Sequence, residues 1–331
     1  MTPRATDSAD AVQQFGSPLT AHAVFLVLSV RDGDEATATV RDVVADLPGL
    51  VKTVRFRDSA DSLTCTVAIG HRRWSGLTGL PTPPLLRPFA PIAGARHTAV
   101  ATPGDLLLHI RADRADLCFE LERLVLARLR DAVVVEDETS GFRYFDRRDL
   151  LGFVDGTANP VGADIEEAAV VTGTGDPRLD GGSHVVVQKY LHPIERWNAL
   201  PTEVQEAIIG RTKADNVELD DAEAGQKAHK TLATIVDADG VEHDIVRDNM
   251  PFGRPGSAEF GTYFIGYAND PGVIRTMLER MFVGDPPGLH DRLLDFSKAV
   301  TGTAFFAPSA ATLGALPFGP AGDTAPAIPT P

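Results

Sequence analysis

Asp155 stands between an apolar run and a turn-forming segment, in Leu150-Leu151-Gly152-Phe153-Val154-Asp155-Gly156-Thr157-Ala158-Asn159-Pro160. Such a carboxylate can belong to an ordinary Asp-Gly turn. The sharper alternative is a carboxylate held at a pocket rim by a backbone that needs glycine on both sides. Arg247 and Asn249 lie two apart at the end of an expected strand, so their side chains project to one face, which Ile245 shares. That pattern is either a solvated strand end or a polar pair delivered into an apolar pocket. His229 opens the preceding segment, Ala228-His229-Lys230-Thr231-Leu232, at the start of an expected strand. No second His, Cys or carboxylate stands at zinc spacing around it. A haem iron needs only one protein ligand and often takes an axial imidazole. His243 and Asp244 read as solvated hairpin residues rather than metal ligands.

These groups need a scaffold. Ala21 to Val30 predicts a buried strand ending at Arg31-Asp32-Gly33. Val40, Val43, Val44 and Leu47, at i, i+3, i+4 and i+7, predict a helix stopped by Pro48-Gly49. Strands are expected at Leu50 to Phe56 and Leu63 to Ile69, the second with Leu63, Cys65, Val67 and Ile69 on one face. A proline-rich, irregular connection over Leu80 to Pro103 leads to a strand at Asp105 to Ile110. A helix started by Asp113 or Asp116 turns Leu117, Cys118, Leu121, Leu124 and Val125 inward. Ala132 to Val135 closes the set.

After the Asp155 stretch a similar order returns. Ser183 to Leu191 is a strand, and a helix follows from Pro201-Thr202 to near Gly210, with Thr202 and Gln205 at capping-box spacing. Lys230 to Val236 and Val241 to Asp248 form a hairpin about Asp237-Ala238-Asp239-Gly240. A strand at Gly261 to Tyr267, a helix burying Ile274, Met277, Leu278 and Met281, and a strand at Thr303 to Phe306 complete it. The repeated order implies helix-covered antiparallel sheets and an internal duplication. The chain then divides into a flexible N-terminus (1–20), a first domain (21–150), a connecting segment (151–182), a second domain (183–309) and a flexible Ala/Gly/Pro-rich tail (310–331).

The totals narrow the partners. A length of 331 residues allows two ordinary domains or one large one, and 43% hydrophobic with 23% charged residues is ordinary globular composition. A net charge of −15 argues against nucleic acid and anionic membrane, both of which require clustered Lys and Arg. No basic region followed by an apolar core opens the chain, and no apolar stretch approaches a membrane span, so the cytoplasm is the expected compartment. Cys65 and Cys118 lie in apolar runs without a CxxC neighbour and are expected as reduced, packed thiols.

Taken together, the motifs carry a resemblance. Gly152-Phe153-Val154-Asp155-Gly156-Thr157 resembles the GxxDG signature of dye-decolorising peroxidases. Arg211-Thr212-Lys213, Val246 to Gly253, Gly261 to Tyr267 and Leu294-Asp295-Phe296-Ser297 are ordered and spaced as in the B-type branch of that family, over roughly Ala21 to Ser309. The resemblance implies an α+β fold of duplicated ferredoxin-like halves, of the dimeric α+β barrel type. It also implies one haem b per chain and a peroxidase that uses hydrogen peroxide to oxidise organic donors, such as dyes and phenolics, in one-electron steps through a ferryl intermediate.

By position, His229 is similar to the family's axial iron ligand. Asp155, Arg247 and Asn249 match its distal catalytic residues. Phe264 matches an aromatic over the haem, and Arg211 a propionate partner. Gly156 and Thr157 count with them as cofactor-binding. An acid accepting Nδ1–H of the axial histidine is expected at Asp291 first and Asp295 second. Ala158 departs from the Glu that relatives often carry there, which removes a carboxylate near the propionates and weakens the case for a metal-cation oxidation site. Bulky donors cannot enter a pocket shaped for peroxide, so Tyr144, Tyr190, Trp197, Tyr263 and Tyr267 are candidate surface relays, each also readable as a packing residue. The rival readings are a haem-carrying or haem-iron-releasing protein with little turnover, and a hydrolase pairing Asp155 with His229. The resemblance further implies a homo-oligomer. Leu313-Gly314-Ala315-Leu316 bears a faint likeness to peptides that direct some relatives into an encapsulin shell.

Overall fold

The computed structural model describes residues 13, 16, 19–56, 62–221 and 225–315. In the first half, strands His22–Val30 (β1), Thr64–Gly70 (β2), Leu106–Ala112 (β3) and Val133–Phe142 (β4) are covered by helices Asp34–Arg55 (α1) and Ala115–Leu129 (α2). In the second half, strands Ser183–Leu191 (β5), Val246–Arg247 (β6), Met250–Arg254 (β7), Glu259–Ala268 (β8) and Thr303–Ala307 (β9) accompany helices Thr202–Ile209 (α3), His229–Ala233 (α4) and Pro271–Phe282 (α5). One antiparallel sheet runs through both, in the order β6-β8-β5-β9-β2-β3-β1-β4, with β7 also paired to β8. Each half therefore has the order fourth-first-third-second that defines a ferredoxin-like unit. The halves join where Phe305 and Phe306 of β9 pair with Gly70 and Ile69 of β2.

Alternation along the strands sets the layers. On β1, Val24, Leu26 and Leu28 face α1 and α2, whereas Ala23, Phe25 and Val27 face a core between the halves. On β8, Tyr263, Ile265 and Tyr267 join that inter-half core, while Phe264 turns to the opposite side, where α5 packs. The duplication inferred from element order is the architecture itself. β7 lies against β4, so the sheet curls back towards its other end.

Several local expectations are corrected. The first helix runs through Pro48 to Arg55, and Leu50 to Phe56 is not a strand. Burial of Val40, Val43, Val44, Leu47, Leu50 and Val54 along one stripe outweighs the backbone bond lost at proline. The second helix starts at Ala115 after Arg114, with no side-chain cap from Asp113 or Asp116. The Thr202–Gln205 capping box is not formed, because Gln205 donates instead to the Trp197 and Leu200 carbonyls. His229 starts a helix rather than a strand, and the expected hairpin shrinks to Ile235–Val236 against Glu242–His243.

The connection after Leu80 holds a short Ile92–Ala93/Thr98–Ala99 ladder. In the expected N-terminal segment, Gln13 is buried and bonded to Val67 and Pro308; the rest of 1–18, apart from Gly16, lies outside the described residues. Ala310–Ala315 is helical, with Leu313 packed on the first core; residues 316–331 of the expected tail also lie outside them. Both cysteines are free thiols.

Candidate active site

The connecting segment is pinned before it reaches the cavity. Arg148 and Val154 form an antiparallel bridge, and the amide of Asp155 donates to the Arg147 carbonyl at 2.9 Å. Gly152 and Gly156 both take positive φ, +95° and +78°. A Cβ at Gly152 would lie 2.4 Å from Lys213 Cε, the movable end of a flexible side chain, so it is the positive φ that favours glycine there. Asp155 Oδ1 accepts from the Gly156 amide at 2.7 Å. Asn159 clasps strand β6 from both sides: its Nδ2 donates to the Arg247 carbonyl at 2.5 Å and its Oδ1 accepts from the Arg247 amide at 3.0 Å. The Asn in the turn sequence was the signal for this contact, and sequence reasoning passed over it.

Asp155, Arg247, Asn249, His229 and Phe264 line one cavity of about 910 Å³, together with Asp149, Tyr190, His192, Met277 and Met281. An adjoining cavity of about 1150 Å³ shares Asp155, His229 and Arg247 and adds Gly156, Thr157, Ala158 and Arg211. Asn249 Oδ1 accepts from the Ile265 amide at 3.3 Å. Arg247 Nε is buried with no hydrogen-bond partner. Arg211 sits at the rim, donating to Glu218 Oε2 at 2.9 Å and to the Asn216 carbonyl at 3.0 Å. His243 is exposed and bonded to Asp237, and both His243 and Asp244 line the second cavity.

Two acids competed on sequence for His229. Asp291, fully buried, has Oδ2 2.6 Å from His229 Nδ1. Asp295 instead meets His97 Nε2 at 2.9 Å and His290 Nε2 at 3.3 Å. Burial would lower the His229 imidazole, but the charge of Asp291 and its hydrogen bond outweigh that and raise it above the ordinary value. The other cavity histidine, His192, has both nitrogens engaged, by Thr262 and Ser297 at 2.9 Å each, and burial pushes it down to about 4. Only His229 can offer a ring nitrogen, Nε2, to a metal in this cavity. A single imidazole, apolar walls of Leu, Met and Phe, and an orphaned buried guanidinium nitrogen fit a largely apolar, metal-bearing cofactor that one imidazole would hold, with an anionic guest beside it.

Asp149 was not singled out from sequence, because nothing but burial separates it from an ordinary turn acid. Its Oδ1 accepts from the Phe153 amide at 2.9 Å. Burial, opposed by backbone hydrogen bonds and reinforced by the charge of Asp155, pushes its carboxyl up to about 7. The unfolded carboxyl, near its ordinary 3.8, ionises first as pH rises, so stability is lost from about pH 4 until the folded group ionises at about 7. In the haem-free protein, Asp149→Asn is expected to melt a few degrees higher than the parent above about pH 7, with the gap closing towards about pH 4. A gap that does not change with pH would contradict this.

Of the proposed surface relays, Tyr190, Trp197, Tyr263 and Tyr267 are buried, and only Tyr144 is partly exposed. Trp197 wedges between Phe153 and Phe296 and donates to the Leu151 carbonyl at 2.9 Å, which makes it a support for the connecting segment.

Comparison with known proteins follows the same line. Residues 14–143 match the family model "Dyp-type peroxidase, N-terminal" and residues 146–312 match "Dyp-type peroxidase, C-terminal". The chain is 52% identical over 293 residues to a dye-decolorizing peroxidase of Mycolicibacterium paratuberculosis, covering 88% of this chain and 82% of that one. It superposes on a variant of DypB from Rhodococcus jostii solved in complex with haem, with 55% identity and TM-score 0.87 over 90% of this chain and 96% of that one. The encapsulated DyP-type peroxidase of Mycobacterium smegmatis is 48% identical with TM-score 0.88, over 93% and 100% of the two chains.

Proposed function

The chain belongs to the Dyp-type peroxidase family, and from that premise we propose how its residues divide the work of a haem peroxidase. His229 Nε2 would hold the iron, and Asp291 holds the Nδ1 proton, fixing the tautomer and making the imidazole a stronger donor. Arg211, Gly156 and Thr157 lie where they can border the cofactor's edge, with Phe264 against its face. Haem bound there would supply the redox capacity to cleave peroxide. Asp155 takes the proton from the attacking peroxide oxygen and returns it to the departing one. Arg247 stays cationic and stabilises negative charge as the O–O bond breaks, a role that a dry cavity strengthens. Asn249, its Oδ1 engaged by Ile265, has Nδ2 free to orient peroxide.

The observation that carries the reading is the convergence of Asp155, Arg247 and Asn249 with an Asp291-held imidazole on one cavity. The test is an absorption spectrum of the haem-loaded protein before and after one equivalent of peroxide. A shifted haem band that a phenolic donor restores is expected. A haem band indifferent to peroxide would favour the haem-carrying or iron-releasing alternative.

Docking inside a shell is part of the proposal, supported by the encapsulated M. smegmatis relative. Leu313 packs on the first core, so a docking peptide here would have to lie beyond Ala315. Among the described residues no helix is long and apolar enough to cross a membrane.

A further inference from the structure

The chain has four tyrosines, and three of them are buried around the second-half sheet. A tyrosine gives up an electron readily only if its hydroxyl proton leaves at the same time, because the oxidised phenol is a very strong acid. In a dry interior that proton needs a base in hydrogen-bond contact, so the hydroxyl's partner decides which tyrosine can act. The Tyr190 hydroxyl donates to the Gln188 side-chain carbonyl at 2.7 Å, a group too weakly basic to take a proton. The Tyr263 hydroxyl is buried with no hydrogen-bond partner. The Tyr267 hydroxyl lies 2.8 Å from Nδ1 of His109, with the Thr66 hydroxyl as a second hydrogen-bonding neighbour, and Tyr267 and His109 are fully buried.

The surroundings of His109 suit it to accept. Its Nε2 makes no hydrogen bond but lies 3.7 Å from Asp248 Oδ2, which also accepts from Arg111 Nη1 at 2.9 Å. A proton on Nε2, towards that carboxylate, leaves Nδ1 bare for the tyrosine. Burial, helped by the charge of Arg111, holds the imidazole well below its ordinary pKa, so it is neutral at working pH and its acceptor site is free. The ring stacks on Phe25 at 4.8 Å, which stacks in turn on Tyr263 at 4.1 Å, so little can move. Tyr267 is opposite Val246 in the β8–β6 pairing, next to Arg247, and faces the inter-half core while Phe264 faces the cavity. Only the thickness of one sheet separates its ring from the cavity.

We propose that Tyr267 is a one-electron redox site of this protein, with His109 Nδ1 as its proton acceptor. The ring gives one electron to the oxidising equivalent that peroxide leaves at the haem. The hydroxyl proton passes to His109, and a neutral phenoxyl radical remains beside an imidazolium that faces Asp248. An electron from a donor returns the proton to the oxygen and restores both groups. No solvent reaches the pair, so the radical is shielded from side reactions.

The inference rests on the haem-peroxidase reading, and the experiment separates the two. The haem-loaded protein is mixed with one equivalent of peroxide without donor, followed by its absorption band, then freeze-quenched for electron paramagnetic resonance. A tyrosyl signal is expected in the parent and in Tyr263→Phe, and its loss in Tyr267→Phe, whose band shift remains as fast as the parent's. His109→Gln, which keeps a polar side chain but no base, should also lower the radical yield. In the haem-free protein, nitrogen NMR should show His109 Nδ1 unprotonated and shifted by Tyr267→Phe. A tyrosyl signal that survives in Tyr267→Phe, or a parent whose band shifts without forming any tyrosyl signal, would overturn the proposal. A band that does not shift would overturn the underlying reading, and this inference with it.

Discussion

Arg247→Leu is expected to slow the peroxide-driven shift of the haem band by about 10²–10³-fold, the usual loss for one preorganised charge-stabilising donor. Asp155→Ala is expected to cost less. Among the described residues lining the cavity, Arg247 is the only lysine or arginine, and its Nε has no other partner to satisfy. The cations of the adjoining cavity, Arg211 and Lys230, are both paired with Glu218. A second carboxyl, Asp149, lines the same cavity and is ionised above about pH 7, so there it offers proton transfer an alternative acceptor. The leucine variant should also fold normally, because Asn159 grips the Arg247 backbone rather than its side chain. Stopped-flow absorption measures both variants, and a slow Asp155 variant beside a fast Arg247 variant would reverse the ranking.

Asp291→Asn is expected to weaken haem retention by about 10–100-fold, as usual when the partner of a metal-bound histidine is lost. The substitution keeps the shape but removes the charge that holds Nδ1 of His229 at 2.6 Å. It leaves an oxygen for the Leu293 amide, which Asp291 Oδ1 accepts at 2.9 Å, so the turn that follows should persist. Asp295→Asn should leave retention nearly unchanged, because that acid serves His97 and His290. Transfer of haem to an excess of haem-free globin gives both rates. If Asp295→Asn proved the more damaging, the assignment of Asp291 would fail.

How much was legible follows from where each signal lies. The proposed distal residues sit in short stretches whose glycines, proline and alternation are local, so Asp155, Arg247 and Asn249 could be singled out before any contact was known. The partner of His229 is 62 positions away, and two acids four residues apart offered equal local claims. Only the turn at 292–296 decides which of them reaches the imidazole. Pro48-Gly49 was read as a stop because the local cost of proline is large, whereas a buried stripe continuing to Val54 is a tertiary effect. Helix α4 is five residues long, too short for a 3.6-residue period to be distinguished from a strand start. The aromatic residues expected at the surface are buried because strand alternation turns Tyr263 and Tyr267 into the inter-half core, a layer that element order alone does not reveal.

Of the residues lining the main cavity, Asp149 alone comes from the first domain, so the first half contributes little of that wall. What it contributes is a cover for Val185, Val187, Tyr263, Ile265 and Tyr267, apolar groups that a free-standing second half would present to water. In an assembly of separate chains that cover would come and go with concentration. Here it is tethered through the connecting segment, and its effective concentration is set by the chain. Dilution cannot part the peroxidase half from the surface that keeps it dry.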